Sequence, residues 1–308
     1  MGGSGDDRYR TPSVNVAKRI HEAREREATR LKTAVNEYLG ELLTKFNARD
    51  TELDDRRLED IGKVLHDVAA IEKLLLGGSV AKHTDVDGVS DLDALVILDR
   101  KDLAGKSPDE VRAAFFAELH DRMPRSEVKE VQNGTMAVTV RYNDDSEIQL
   151  LPALRSAGGG VAIPTPSGDG WTEVSPGRFQ SALTQANQRL GRSLVPTIKL
   201  LKSMNSDLPE QKRLTGYHIE ALAVDATRKY SGPNVPREVL IHVCKHAADR
   251  VLTPISDITG QSRRLDDYLG GSSSTQRRIA SQALAGLARR LESAGSVAEW
   301  KAVFGSEE

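Results

Sequence analysis

Residues 74–98, LLLGGSVAKHTDVDGVSDLDALVIL, constrain this chain more than any other stretch. An apolar run, Leu74-Leu75-Leu76, stops at Gly77-Gly78-Ser79. Ten residues later come Ser90-Asp91-Leu92-Asp93 and the apolar run Ala94-Leu95-Val96-Ile97-Leu98. The pattern reads as two buried strands joined by a glycine turn and a short helix. Residues i and i+2 of a strand point the same way, so Asp91 and Asp93 present two carboxylates on one face beside the Gly-Ser turn. Carboxylates that close repel, and they share a proton or bind a cation. Oxygen-only ligands beside a phosphate-sized turn favour Mg²⁺ or Mn²⁺ over zinc. The glycines leave backbone N–H groups for a phosphate, and the Ser79 hydroxyl adds a donor.

In order and spacing, G-G-S followed by S-D-x-D and an apolar strand resembles the active-site signature of the DNA polymerase β-like nucleotidyltransferase superfamily. The resemblance implies an α+β fold: a mixed sheet with helices as catalytic core, followed by a helical domain. It implies that Gly78, Ser79 and Ser90 meet a triphosphate and that Asp91 and Asp93 ligate the metal. The reaction implied is attack of a 2′- or 3′-hydroxyl on the α-phosphorus of a nucleoside triphosphate, with pyrophosphate leaving.

Composition is that of a soluble globular chain, with 308 residues, 38% apolar and 29% charged. No stretch approaches the roughly 20 apolar residues of a membrane helix. The N-terminus lacks a hydrophobic signal core, and the single cysteine, Cys244, leaves no internal disulfide and reads as core packing. The expected location is the cytoplasm, with no membrane partner. The net charge of −2 is uneven: +6 from Pro176 onward (19 basic against 13 acidic residues) and −8 before it (24 against 32). A basic second half facing an acidic metal site suits a triphosphate between them. The imbalance is too small to argue for a long nucleic-acid track.

The chain divides into a tail and long spine helix (1–50), a catalytic core (51–175) and a helical nucleotide-binding domain (176–308). A helical period over 14–46 predicts a helix too long for one small sheet to bury, running along both halves. After a polar break at 49–55, a second helix over 58–70 leads to the strand at Leu74. Ser107-Pro108-Asp109-Glu110 starts a helix that runs to about Arg122. Residues 135–142 and 147–151 flank the turn Asn143-Asp144-Asp145-Ser146 as a hairpin, with Pro152-Ala153 ending its second strand. The Gly/Pro-rich residues 158–170 read as a loop. Helices are predicted at 178–190, 194–204, 216–230, 237–252 and 275–294.

Lys199 and Lys202 lie three apart on one helix and are surface neighbours. Residues 196–205 followed by Leu214-Thr215-Gly216-Tyr217-His218-Ile219-Glu220 are similar to the helical half of the cGAS-like and oligoadenylate-synthetase-like nucleotidyltransferases, bacterial anti-phage members included. The resemblance extends from about Leu58 to Gly305. It implies that Lys202, with Lys199 nearby, contacts the donor triphosphate and that Tyr217 stacks on the base. The family's serine falls on Gly216, so Thr215 or the helix N-terminus would take its place. Residues 254–262 and 266–270 look like a segment of the bacterial members, with no mechanism readable from sequence. The implied product is a cyclic or short linear oligonucleotide, made from ATP at least in part, that acts on a downstream effector.

The family's third carboxylate falls on Gln149, in Glu147-Ile148-Gln149-Leu150-Leu151-Pro152-Ala153. Gln is neutral, a weaker metal ligand and no base. Three explanations stay open: Glu147, about 6.6 Å along the strand on the same face, substitutes; the chain binds nucleotide and one metal with little or no turnover, as a sensor or regulatory module; or Gln149 replaces the natural residue. Two ions are expected only if a third ligand is supplied. An enzyme acting on RNA or DNA ends fits less well, because an aromatic content of 4% leaves few stacking platforms.

Overall fold

The computed structural model describes residues 14–305 apart from 69, 90, 100–104, 157–159, 166, 168, 169, 260 and 261. In chain order the elements are α1 (Val14–Phe46), α2 (Thr51–Leu65), β1 (Ile71–Leu76), β2 (Leu92–Leu98), α3 (Pro108–Arg122), β3 (Val128–Asn133), β4 (Val138–Tyr142), β5 (Glu147–Arg155), β6 (Val161–Pro164) and β7 (Trp171–Val174). There follow α4 (Pro176–Arg189), α5 (Leu194–Ser206), α6 (Gly216–Ala226), α7 (Pro236–Arg250), α8 (Thr275–Ser293) and α9 (Val297–Val303).

The α+β expectation holds. The sheet runs β1-β2-β5-β4-β3, with β6 pairing the end of β5 and β7 pairing β6. It is mixed: β2 and β5 are parallel, and the other pairs are antiparallel. Strand alternation divides its residues. Leu92, Ala94, Val96, Ile148 and Leu150 pack with Leu58, Ile61 and Leu65 of α2 and Val111, Phe115 and Leu119 of α3. The opposite face carries Ile97 and Ala153 with Leu95 and Leu151, and by the same alternation Asp93 and Gln149. The helical half has its own core, built from α4–α9 together with Val35, Tyr38 and Leu39 of α1.

The structure alters several expected boundaries. Helix α2 starts at Thr51, inside the expected polar break, because the Asp50 side chain accepts from Leu53 N at 2.9 Å and caps it. Strand β5 continues through Pro152 to Arg155. The β4 ladder has ended at Leu150, so one edge of β5 is open there and the missing N–H of Pro152 is tolerated. The Gly/Pro-rich stretch is not only loop: β6 lies within it and β7 follows. Helix α1 packs against α5, α7 and α9 of the helical half. It meets the core at its end, where Phe46 O accepts from Asp87 N, while residues 16–30 are almost wholly exposed.

Candidate active site

The turn between β1 and β2 is built against Asp93. Gly77 N donates to Asp93 O at 2.7 Å, which closes the turn onto the first residues of β2. Gly78 has φ +53°, and a Cβ there would stand 1.6 Å from Asp93 Oδ2. Only glycine combines that conformation with that approach. Lys82 N and Thr84 N both donate to Ser79 O, winding the chain into a 3₁₀ turn over Val80–Lys82. The N–H groups of Gly78 and Ser79 find no partner among the described residues. The turn therefore offers donors to an anion.

Asp93, on β2, is paired in register with Gln149 on β5. Gln149 Nε2 donates to Asp91 Oδ2 at 3.1 Å, so the carboxamide at the family's third-carboxylate position binds an aspartate. Burial, then the charge of Glu147, raises the Asp91 carboxyl above its ordinary range. Burial, then the charge of Asp91, does the same to Asp93. Glu147 is near enough to act on Asp91, but its Oε1 accepts from Arg141 Nε at 2.6 Å, which holds it on the neighbouring strand.

Across the cleft the helical half supplies cations. Lys202 Nζ donates to Thr84 O at 3.0 Å and to Glu220 Oε1 at 2.8 Å. Lys82 Nζ donates to Glu220 Oε2, and Thr84 Oγ1 to Glu220 Oε1. Glu220 is 1% exposed. Burial opposes its ionisation, yet the two lysines outweigh it and hold its carboxyl below the usual range. Burial lowers Lys202. Lys82 and Thr84 belong to the core, while Lys202 and Glu220 belong to α5 and α6, so this hub joins the two halves beneath the cleft.

A cavity of 380 Å³ brings these groups together, with Gly78, Ser79, Lys82, Asp91, Asp93, Lys202, Gly216, Tyr217 and Glu220 in its walls. That volume lies within the range of small-molecule sites. Tyr217 meets Phe179 edge-to-face at 4.8 Å, and the Lys82 ammonium sits 5.3 Å from its ring centre. At Gly216 an added Cβ would meet Lys202 Cε at 3.4 Å, so the lysine lies over the spot where the family has serine.

Two sequence expectations fall elsewhere. Lys199 does not line this cavity; its Nζ donates to Asn47 Oδ1 at 2.7 Å. It borders a larger cavity, 570 Å³, on the far side of the Gly-Ser turn, which contains neither Asp91 nor Asp93. Lys199 and Lys202 lie three apart on α5, yet they border different cavities. Thr215 caps α6, its Oγ1 accepting from His218 N at 3.3 Å, and is not in the cavity wall. Ser90 lies outside the described residues. Sequence reasoning missed Lys82, Thr84, Asn205, Arg213 and Glu220. The available signal for Glu220 was a charge inside the apolar run His218–Val224, and for Lys82 a cation three residues past Ser79.

Two carboxylates on one face with raised proton affinity fit one Mg²⁺ or Mn²⁺. Among the described residues, no cluster of three His, Cys, Asp or Glu side chains forms a fuller site.

The profile of the Second Messenger Oligonucleotide or Dinucleotide Synthetase domain, SMODS, matches residues 34–187, from the second half of α1 to α4. The chain belongs to this family. SMODS chains are nucleotidyltransferases, and the β1–β2 turn with its two aspartates lies within the matched span. A comparison with curated proteins finds no match. Among solved structures, CdnG of Bradyrhizobium diazoefficiens in complex with GTP is 16% identical, with a TM-score of 0.67 over 88% of this chain and 96% of that one. CdnC of E. coli MS115-1 with ATP is 15% identical, TM-score 0.63, over 89% and 97%. The di-nucleotide cyclase DncV of Vibrio cholerae, with ATP and GTP, is 11% identical, TM-score 0.61, over 96% and 92%. At such identities the likeness shows the fold alone.

Proposed function

We propose that this SMODS chain is a metal-dependent nucleotidyltransferase that joins nucleoside triphosphates, ATP among them, into a cyclic or short linear oligonucleotide messenger. The observation that carries the reading is one cleft holding Asp91 and Asp93, the Gly78-Ser79 turn with Lys82 just past it, and Lys202 from the helical half. The turn N–H groups, the Ser79 hydroxyl and Lys202 hold the triphosphate. Tyr217 receives the base. Asp91 and Asp93 set the attacking 2′- or 3′-hydroxyl against the α-phosphorus, and pyrophosphate departs toward the lysines. A divalent ion held by the two aspartates would neutralise phosphate charge and acidify the hydroxyl. Binding of GTP and of ATP by the related CdnG and CdnC supports triphosphates as substrates. A bacterial anti-phage role, with an effector that reads the product in the cytoplasm, rests on the resemblance to the bacterial members. Among the described residues no helix is long and apolar enough to cross a membrane.

The test is pyrophosphate release and product formation from the four labelled triphosphates with Mg²⁺ or Mn²⁺. Wild type turns over and Asp91→Asn does not; identical behaviour of the two sinks the catalytic reading.

The hydrogen bond from Gln149 to Asp91 favours a second reading, a nucleotide-binding module with little turnover. A neutral amide supplies neither a base nor a strong second-ion ligand. Calorimetry with ATP and metal beside the product assay separates the two. Tight binding without pyrophosphate marks the module, and Gln149→Asp then creates activity.

A further inference from the structure

We infer that Asp257, outside the cleft, is a positioning residue that fixes the ring of Tyr217 against which a nucleotide base stacks; the inference rests on the reading above, in which Tyr217 takes the base. Tyr217 stands at the start of α6 with its ring in the cavity wall. The ring meets Phe179 edge-to-face. Its far end is held as well: Tyr217 Oη donates to Asp257 Oδ1 at 2.9 Å. Burial, then this bond, raises the phenol above its usual range, so it remains a donor at neutral pH.

Asp257 is itself immobilised by its own loop. Its Oδ1 also accepts from Thr259 N at 2.8 Å and Thr259 Oγ1 at 2.7 Å. Its Oδ2 accepts from Ser262 N and Ser262 Oγ, each at 3.2 Å. Burial opposes the charge, but the Thr259, Tyr217 and Ser262 bonds together hold this carboxyl below its ordinary range. The loop is tied at both ends. Ile255 N donates to Asp266 Oδ1 at 3.0 Å, and Asp266 accepts from the fully buried Arg277 at 2.7 Å. Thr259 O accepts from Ser175 N at 2.8 Å, at the junction of β7 and α4 where the two halves meet. The same α4 carries Phe179. A segment that touches none of the catalytic groups thus sets the stacking surface from two sides, through Asp257 and Thr259.

The affinity of the full chain for ATP and GTP, each with Ca²⁺ to suppress turnover, tests this. The variants are Tyr217→Phe, Asp257→Ala, their double variant and Tyr217→Ala. Tyr217→Phe keeps the ring and all of the loop's own bonds, so it reports even if Asp257→Ala loosens the loop. Each single change should weaken binding about fivefold to tenfold, the size of one lost intramolecular hydrogen bond. The double variant should be no weaker than either, because both remove one bond. Losses that multiply in the double variant, or affinities unchanged in both singles while Tyr217→Ala binds poorly, overturn the role of Asp257 and leave the base-stacking reading intact. Unchanged affinity in Tyr217→Ala, or no binding by wild type, removes the stacking reading and this inference with it.

Discussion

Gly78 and Asp93 show how tightly single residues are specified here. The Asp93 carboxylate occupies the space that a side chain at position 78 would fill, and the backbone there is left-handed. Gly78→Ala should therefore displace Asp93 or the turn and cut turnover about a hundredfold, given how steeply rate falls with small misplacements. A steady-state assay beside a thermal melt checks it, and near-normal turnover would show that Asp93 does not need its present position. His218 makes a second residue-scale case. It is fully buried, with Nδ1 2.9 Å from Tyr268 Oη. Burial pulls its pKa down to about 4; Asp266 pulls it up, but Arg277 and Arg250 add to the depression. The unfolded chain titrates near 6.5. Between these values the unfolded chain holds a proton that the folded chain refuses. Stability is thus full above about pH 6.5 and declines as pH falls toward 4, by up to about 3 kcal/mol. Urea melts at pH 7, 5.5 and 4.5 should show this slope, flattened in His218→Asn; equal slopes would refute it.

At the scale of elements, the hub around Glu220 locks α5 and α6 to the Gly-Ser turn. Its two lysines share one buried anion. Removing that charge leaves Lys202, 6% exposed, without its carboxylate partner, a loss that typically costs about 3–5 kcal/mol. A triphosphate entering the cleft would supply the missing negative charge. In Glu220→Gln the apo melting temperature should fall, and saturating ATP with Ca²⁺ should raise it by more than in wild type. An equal shift in both proteins would place the lysines out of reach of the phosphates. This hub also marks the limit of what was legible. The strands β1 and β2, the turn, the paired aspartates and the capped start of α3 announce themselves locally, through apolar runs, glycines and a Ser-Pro-Asp-Glu box. Glu220 lies far in sequence from Lys82 and Thr84, and the three acquire meaning only when two halves close on each other. The same holds for Lys199 and Lys202: spacing made them neighbours, yet they border different cavities. Strands β6 and β7 escaped notice because they are four residues each and lie in or beside a Gly/Pro-rich stretch, which carries a loop signal whatever the chain does there.

Among the described residues the buried apolar side chains group into separate cores, around the sheet and among the helices, and polar contacts join the two bodies at the cleft. Such a joint suits a site that must admit a large, charged ligand, because the groups that bridge the halves are those that meet the phosphates. Helix α1 belongs energetically to the helical body. Val35 and Leu39 are fully buried and Tyr38 nearly so, Asn36 Oδ1 accepts from Arg237 N at 3.1 Å, and Lys32 faces Glu238 at 3.7 Å. Residues 16–30 bury almost nothing, and the contacts Lys18–Glu22 and His21–Glu25 are solvent-exposed. Pairs of that kind contribute little. The two parts of one helix should then behave oppositely. A chain starting at Arg30 should melt within about 2 °C of the full chain, as surface changes away from packed features usually cost less than about 0.5 kcal/mol. Leu39→Ala should lose about 2–5 kcal/mol by opening a cavity between α1 and the helical core. Differential scanning calorimetry on both distinguishes them, and a large loss from the truncation would mean that the exposed turns are covered in solution by something that holds the fold together.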